Sequence, residues 1–378
     1  MSDVKRTLTR RSMLATGWAA VAGSALASPQ AGRSQAPRPD NTNGTRTLVC
    51  IYLLGGSDGN SLVAPLDPVQ YEAWEKARGE LGIRADALLP IRSRSTGTAY
   101  GLDYRLGELQ RCFNDGAAAV MANVGATVRP GKSKGRYDSL AFLGDGYPTL
   151  NWAARKSGAG PNTDVAFTFA AGVSMLPIGK TTFEGERRQN PMLMRQIASA
   201  SFRTSFPDST VGRQVRTVAG LIRAGNATGA TAQVVFCPFG GFGTSTAQAI
   251  AKAPLYRQLS LAMAALYEAT VEMGVADRVT IFTDSEFGRT LRPNNRHGAD
   301  PGWGNHHFVL GGAVKGGDVY GKYPDMISGP FDADSALIPT TSNEQYQAAL
   351  AGWTGIESAE LLSLLPGLRG DAPGFLRA

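Results

Sequence analysis

Apolar residues fall in short, unbroken runs along this chain, and each run ends in glycine or in a polar turn. Runs of apolar residues without polar interruption are typical of strands that are buried on both faces of a sheet. Five such runs predict β-strands, at residues 47–54, 117–124, 165–169, 233–237 and 278–283.

Residues 256–273 have instead the spacing of an amphipathic helix. Their apolar positions recur three to four residues apart, at Leu259, Met263, Leu266 and Tyr267. Gly274 follows as a stop signal. Strands that alternate with helices predict an α/β fold with a large, mostly parallel sheet and helices on both faces.

Three acidic residues lie just past predicted strands: Asp58, Asp284 and Glu286. Ligands of α/β folds bind beyond the carboxyl ends of the strands, where loops from distant parts of the chain meet. We therefore expect these three carboxylates to converge, although they are far apart in the sequence.

The N-terminus has the pattern of an export signal. Arg10 and Arg11 precede a weakly apolar run at residues 13–27, which ends in the small residues ALA. This pattern predicts a twin-arginine signal peptide, whose route carries proteins that have already folded. A transmembrane anchor is the alternative, but a bilayer requires about 20 apolar residues. We expect a periplasmic or secreted protein with no transmembrane segment in the mature chain.

Three segments follow from this pattern. Residues 1–27 are the predicted signal peptide, residues 28–45 are a polar, proline-rich spacer without fixed structure, and residues 46–378 form a single α/β domain. Removing the signal peptide lowers the formal net charge from +7 to about +4. This modest surplus, without a dense run of lysine and arginine, does not indicate nucleic-acid binding. It favours an anionic small molecule or an envelope polymer as a ligand.

The three cysteines, Cys50, Cys112 and Cys237, include no CxxC pair. Their spacing excludes a thiol-rich metal site. Buried free thiols are expected, with one disulfide as the alternative in an oxidising compartment.

All three histidines fall within eleven positions, at His297, His306 and His307. Imidazole binds metals and moves protons, so any histidine chemistry must take place in this segment. His306 and His307 directly precede a predicted strand at residues 308–310. Adjacent strand residues face opposite sides, so at most one of them reaches a given site. Both are candidate catalytic residues, with a purely structural role as the alternative.

Two turns carry the remaining candidates. Asp58 lies in the turn GGSDG at residues 55–59, where it is either a metal ligand or the cap of a following helix. Glu286 and Arg289 lie in DSEFGR at residues 284–289. They are candidates for a metal ligand with an oxyanion clamp, or for an ion pair that stiffens the loop.

Taken together, five motifs resemble those of a bacterial family, domain-of-unknown-function family 1501. Its members are exported by the twin-arginine route and are similar to the alkaline phosphatase/sulfatase superfamily. The motifs are LGGSDG at 54–59, GVADRV at 274–279, SEFGR at 285–289, GWGNHHFVLGG at 302–312 and IPTTSNEQY at 338–346. The resemblance implies an alkaline phosphatase/sulfatase-like sandwich and two-metal hydrolysis of phosphate or sulfate esters.

Several positions depart from the family pattern. Gly243 and Ser245 stand where the family has an acid and a histidine. Pro301 and Arg136 each replace a further histidine. None of these residues can take the place of imidazole on a zinc ion. The departures indicate a degenerate site rather than a full two-zinc centre.

Asp58, Glu286 and Asp300 remain as candidate metal ligands or as remnants of a lost site. With Arg289, Arg136 and Lys134 they would line a polar cleft that holds one divalent cation, Ca²⁺, Mg²⁺ or Zn²⁺.

Two functions fit these observations. The first is an exported binding or scaffold protein with a hydrolase-derived fold, with other exported proteins encoded nearby as candidate partners. The alternative is a metal-dependent hydrolase of phosphate or sulfate esters. Its reduced site would use Asp58 and Glu286 on one metal and His306 or His307 as the acid or base.

Overall fold

A computed structural model of the chain describes residues 44–126, 153, 165–169, 191–225 and 231–377. These residues belong to one compact unit that spans Asp40–Ala378. The predicted signal peptide, most of the predicted spacer, and the candidates Lys134 and Arg136 lie outside the described residues.

The secondary structure alternates between strands and helices. The strands are β1 (Arg46–Leu53), β2 (Val63–Pro65), β3 (Leu89–Arg92), β4 (Ala99–Leu102), β5 (Ala118–Gly125), β6 (Val165–Phe169), β7 (Ala232–Phe239), β8 (Val279–Asp284), β9 (Asn305–Gly311), β10 (Val319–Gly321) and β11 (Thr341–Ser342). The helices are α1 (Gly59–Leu62), α2 (Pro68–Arg78), α3 (Gly107–Asn114), α4 (Pro191–Ser199), α5 (Thr210–Ala224), α6 (Gln248–Glu272), α7 (Asn343–Trp353) and α8 (Ser358–Leu364). Short 3₁₀ turns lie at Gly79–Leu81, Ala85–Ala87 and Ala276–Arg278.

The main sheet runs in the order β10-β5-β9-β8-β1-β7-β6, and β11 also pairs with β5. Every pairing is parallel except those of β9, which runs antiparallel to both β5 and β8. A smaller antiparallel sheet has the order β2-β4-β3. All five predicted strands are present, with ends that differ by at most two residues. The predicted α/β class with a large, mostly parallel sheet is confirmed.

Strand β1 shows why the apolar runs have no polar interruption. Val49, Ile51 and Leu53 join the apolar core on one face of the sheet, together with α3, α5 and α6. Leu48, Cys50 and Tyr52 join a second core on the other face, against α7 and α8. Because both faces are covered by helices, both sets of side chains in the strand must be apolar.

Helix α6 is longer than the sequence predicts. Its apolar residues Leu259, Met263 and Leu266 are fully buried, and each such side chain stabilises the fold by about 1.5–3 kcal/mol. The helix ends as predicted, because Gly274 adopts a φ of 70° and donates its N–H to the carbonyl of Val271. It begins eight residues earlier than predicted, at Gln248, and contains Pro254. Proline is a stop signal in sequence reasoning, so it concealed the first two turns.

Strand β9 corrects a second prediction. The sequence places His306 and His307 before a strand that begins at residue 308, but both lie inside β9, which begins at Asn305. His307 pairs with Met121 of β5, and the register then shifts across a bulge at Asn123, which has a φ of 51°. The bulge carries the pairing past the histidines to Asn305.

All three cysteines are buried free thiols, as the sequence predicts. Within the part of the chain described, no helix combines the length and the apolar character needed to cross a bilayer.

Candidate functional site

The candidate residues gather at one edge of the main sheet. Strands β1, β7 and β8 are parallel neighbours, so their carboxyl ends meet at this edge. The end of β5, the start of β9 and the β11–α7 junction lie there as well, because β5 pairs with both β9 and β11. The turn at residues 55–59 therefore meets the loop at residues 284–289 at this edge. The carboxylates of Asp58, Asp284 and Glu286, which were expected to converge, accept hydrogen bonds from different groups there.

Glu286 joins these two segments. One of its carboxylate oxygens, Oε2, accepts hydrogen bonds from the backbone N–H groups of Gly55 at 2.9 Å and Gly56 at 3.1 Å. Both glycines have positive φ values, 109° and 83°, which turn successive N–H groups towards the carboxylate. A Cβ at Gly56 would stand 2.0 Å from the ring of Phe287, so only glycine fits there. Burial raises the pKa of Glu286, in spite of these hydrogen bonds.

Arg289 ties three loops together. Its guanidinium group donates to the carbonyls of Gly55, Gly56 at 2.8 Å, Phe242 at 3.1 Å and Ala299 at 3.0 Å, and to Ser245 Oγ at 2.7 Å. These five bonds use every N–H of the side chain. In this arrangement Arg289 positions backbone, and it has no donor left for a ligand.

Three of the positions that depart from the family pattern, Gly243, Ser245 and Pro301, lie around this same guanidinium group. Ser245 accepts one of its hydrogen bonds, and Gly243 follows the Phe242 carbonyl that accepts another. Pro301 pairs with Arg289 through an isolated antiparallel bridge. The three positions therefore converge in space.

Asp58, in the same turn, forms the centre of a buried ionic network. It is 2 % exposed, and its Oδ2 accepts from Arg78 at 2.6 Å, from Ser61 Oγ at 2.7 Å and from Gln248. Arg78 is completely buried and also donates to the carbonyl of Leu291 at 3.0 Å. Asp58 is thus a buried ion-pair partner. It directly precedes α1 but does not cap this helix, because its side chain accepts no hydrogen bond from the backbone N–H groups of the first turn.

Helix α6 presents a polar stripe to this turn. Gln248, Lys252 and Tyr256 lie four residues apart, on one face of the helix. Lys252 Nζ donates to Ser61 Oγ at 2.9 Å and lies 3.9 Å from Asp103. Tyr256 donates its hydroxyl to the backbone carbonyl of Asp58 at 3.0 Å. These contacts explain why the helix begins at Gln248 despite Pro254.

Buried charges of opposite sign stabilise one another in this network. Burial on its own would raise the pKa of Asp58, but Arg78 and Lys252 outweigh it and hold the pKa below its usual value. Burial, together with the neighbouring Arg78, lowers the pKa of Lys252 to about 8. Asp103 also pairs with Arg105, at 2.9 Å. The network therefore contains two carboxylates, Asp58 and Asp103, and three basic side chains, Arg78, Lys252 and Arg105. The second oxygen of Asp58, Oδ1, is buried and has no hydrogen-bond partner among the described residues.

Sequence reasoning missed Arg78, Gln248 and Lys252. The signal for the last two was polar residues four positions apart in a helix that is otherwise apolar. Arg78 gave no such signal, because a basic residue in the last turn of a helix is ordinarily a surface residue near the negative end of the helix dipole.

His306 lies on one face of β9. Its Nδ1 accepts a hydrogen bond from the backbone N–H of Asn123 at 2.9 Å, so the ring proton is on Nε2. The ring is stacked on Tyr323, with centroids 5.0 Å apart, and burial lowers its pKa to about 4. Nε2 is buried and has no partner among the described residues.

His307 faces the other side of the sheet, as the alternation of strand residues predicts. It is stacked on Tyr346, and its Nδ1 lies 3.5 Å from Thr283 Oγ1. Burial, followed by the neighbouring His306, lowers its pKa to about 3. Its Nε2 lies 3.7 Å from the Oδ1 of Asp284, which is also buried. Both β9 histidines are therefore neutral at physiological pH.

Asp300 and His297 lie towards the surface. The side chain of Asp300 is 53 % exposed and accepts from Asn294 Nδ2 at 2.7 Å. His297 is 76 % exposed and lies 2.7 Å from Glu80. The histidine cluster of the sequence thus separates into three different environments.

The three candidate metal ligands bind different protein groups. Asp58 pairs with Arg78, Glu286 with the Gly55 and Gly56 backbone, and Asp300 with Asn294. Across the described ranges, no group of three or more histidine, cysteine, aspartate or glutamate side chains is placed to hold a metal ion.

A narrow cleft opens at the same edge of the sheet. It is lined by residues 124–126, residues 285–287, Gly302, Trp303, Asn305, His307 and Asn343. The indole N–H of Trp303 donates to the carbonyl of Ala126 at 2.8 Å, which fixes the ring. Of the sequence candidates, Glu286 and His307 line this cleft, whereas Asp58, Asp300 and Arg289 do not.

The fold and this edge define an α/β protein with its polar groups beyond the carboxyl ends of the strands. A family model described as "Protein of unknown function (DUF1501)" matches residues 193–334. This range includes three of the five motifs, at 274–279, 285–289 and 302–312, whereas those at 54–59 and 338–346 lie outside it. No curated protein matches the sequence.

Among solved structures, the C-terminal periplasmic domain of EcEptC from Escherichia coli is similar. Its complex with zinc has 11 % sequence identity and a TM-score of 0.38, covering 84 % of this chain and 85 % of that one. A second structure of the domain has 10 % identity and the same TM-score, with 85 % and 86 % covered.

Proposed function

We propose that this protein is an exported binding or scaffold protein with a hydrolase-derived α/β fold, in which the metal site of a hydrolase has been replaced by fixed protein charges. The observation that carries the proposal is the state of Asp58. Its carboxylate is paired with Arg78 and bonded to Ser61 and Gln248, with Lys252 close by. A metal ion at Asp58 would have to approach two buried cations, which repel it.

The histidines support the same conclusion. A zinc ligand must offer a ring nitrogen with a free lone pair. The lone pair of His306 at Nδ1 is used by the Asn123 N–H, and Nε2 carries the proton. His306 can therefore bind a metal only after it gives up this bond and shifts its tautomer.

We also propose membership of family 1501 for the whole mature chain, the alkaline phosphatase/sulfatase-like ancestry of the fold, and export by the twin-arginine route. The partial family match and the five motifs support the first two. The Arg10-Arg11 pair and the small-residue ending at residues 25–27 support export.

Turnover is the test of the binding role. The mature chain should be incubated with Zn²⁺, Mn²⁺, Mg²⁺ or Ca²⁺ and with an aryl phosphate or an aryl sulfate. We expect no hydrolysis above that of the Asp58→Asn variant with any metal. Metal-dependent hydrolysis by the wild-type protein that is lost in Asp58→Asn would overturn the proposal.

One observation favours the alternative hydrolase: Glu286 and His307 line the same cleft, beside Ser285. If these residues form a reduced catalytic site, Glu286→Gln abolishes turnover, because the amide can neither bind a metal as an anion nor accept a proton. Hydrolysis that is unchanged in Glu286→Gln excludes this site as its source.

A further inference from the structure

The cleft beside Glu286 has a chemistry that differs from the anion binding expected from the basic composition. Among the described residues that line it, the only ionisable side chains are those of Glu286 and His307. Since His307 is neutral, the described part of the lining has one formal charge, and it is negative. A free anion would have to lie next to the Glu286 carboxylate, which disfavours it.

Of the two Glu286 carboxylate oxygens, Oε2 is the one that the backbone of the turn holds. The hydrogen bonds from Gly55, Gly56 and Ser285, the last at 3.4 Å, all reach Oε2. No described lysine or arginine lies within salt-bridge distance of the carboxylate, although the Arg289 guanidinium group interacts with it at longer range. A buried carboxylate is stabilised by a cationic donor, so Oε1 is matched to a positively charged hydrogen-bond donor.

The other walls are matched to the same kind of ligand. The indole of Trp303, fixed through Ala126, offers an aromatic ring, and rings of this type attract cations within about 6 Å of their centre. Asn343 contributes an amide at the first position of α7. The cleft is small, and it admits a group of about the size of one water molecule.

We infer that this cleft binds the primary ammonium group of a small organic ligand, with the Glu286 carboxylate as its counter-ion and Trp303 as its aromatic wall. An –NH₃⁺ group has the size of a water molecule and three donors, whereas a quaternary ammonium or a guanidinium group is too large. The inference rests on the proposed binding role and gives that role a ligand class.

The test is a titration of the mature protein with ethylammonium chloride, in buffer containing a metal chelator, followed by NMR of the tryptophan indole N–H groups. The signal of Trp303 is identified by its loss in Trp303→Phe. We expect this signal to shift and to saturate with ethylammonium. Ethanol, its neutral counterpart, and tetramethylammonium should leave it in place, and sodium chloride at the same concentration should not compete.

Two variants sharpen the result. Glu286→Gln should weaken ethylammonium binding at least tenfold. Glu268→Gln, which removes a surface carboxylate paired with Arg111, should leave binding unchanged. If Glu286→Gln does not fold, Trp303→Ala is the second variant. Its binding of ethylammonium is measured from the backbone NMR signals of residues 285–287, and we expect this binding to be weaker than in the wild-type protein.

A blocked lysine amide distinguishes the source of the ammonium group. Binding tighter than that of ethylammonium indicates a lysine side chain of a protein, and weaker binding indicates a free small amine. Equal responses to ethylammonium, ethanol and sodium would overturn the inference, as would binding that is unchanged in Glu286→Gln. The titration contains no metal and measures no turnover. Failure of the ammonium inference can therefore be distinguished from failure of the proposed function, which the hydrolysis assay tests.

Discussion

Asp58 is the residue at which a metal site and an ion-pair network are most clearly distinguished. A ligand of a lost metal would keep a carboxylate that is exposed to the cleft, but Asp58 is buried beneath the turn with Arg78 and Lys252. Burying these charges is costly, and the network offsets that cost only while both signs are present.

The variant Asp58→Asn tests this view of the network. The amide has nearly the same shape as the carboxylate, so packing is retained while the buried cations lose their counter-charge. We expect the free energy of unfolding, measured with urea, to fall by about 3–5 kcal/mol. Asp208→Asn is the matched control, because Asp208 pairs with Arg213 at a 97 % exposed position and its loss should have little effect. Equal effects of the two variants would contradict a buried ionic network.

The two buried histidines of β9 predict the dependence of stability on pH. Their pKa values in the folded protein, about 4 for His306 and about 3 for His307, lie below the unfolded value of about 6.5. Between these values the unfolded chain binds more protons, so stability falls as the pH is lowered. Between pH 7 and pH 4 we expect a loss of about 3 kcal/mol for each histidine.

Glu286 acts in the opposite direction in part of this range, because its raised pKa lets the folded state bind a proton first. Urea unfolding at pH 7, 6, 5 and 4 measures the sum. His306→Phe and His307→Phe should each give a flatter profile than the wild-type protein. A wild-type stability that is constant down to pH 4 would show that these rings are not buried and neutral.

At the scale of elements, the site depends on the close approach of the 285–289 loop to the segment that leads into β9. A Cβ at Gly288 would stand 1.9 Å from the carbonyl oxygen of Gly304. Gly288→Ala should therefore push the two segments apart and destabilise the protein by about 1–3 kcal/mol or more. Gly240→Ala is the control, since a Cβ there meets no atom within 4 Å. Unfolding free energies that are the same for both variants would refute this close approach.

The elements also show how far the sequence was informative. Five strands of the main sheet were predictable because burial on both faces leaves only apolar residues, as in β1. The short strands β10 and β11 were not predicted, because they carry no buried apolar run. The start of α6 was not, because its first turns are stabilised by contacts of Gln248 and Lys252 with a turn distant in sequence. The meeting of Glu286 with Gly55 and Gly56 followed from strand topology, whereas the partner of Asp58, Arg78, comes from a helix that carried no signal.

For the whole molecule, the fold is that of an α/β protein with its loops at one sheet edge, but the side chains at that edge do not form a metal site among the described residues. The main sheet brings four of the five motif segments, at 54–59, 285–289, 302–312 and 338–346, to one edge. There, however, the protein provides its own cations at Asp58, and the two histidines of β9 are buried and neutral. A narrow cleft with one carboxylate remains open at the edge, and this is where we expect the protein to bind its ligand.

The most direct test of the central claim is the zinc stoichiometry of the folded mature chain, measured by native mass spectrometry during titration with Zn²⁺. The account predicts that no stable two-zinc species forms at micromolar metal, and that Asp58→Asn has the same zinc profile as the wild-type protein. Two tightly bound zinc ions per chain that are lost in Asp58→Asn, while circular dichroism shows the variant to be folded, would contradict the account, because Asp58 would then be a metal ligand rather than the anion of a buried ion-pair network.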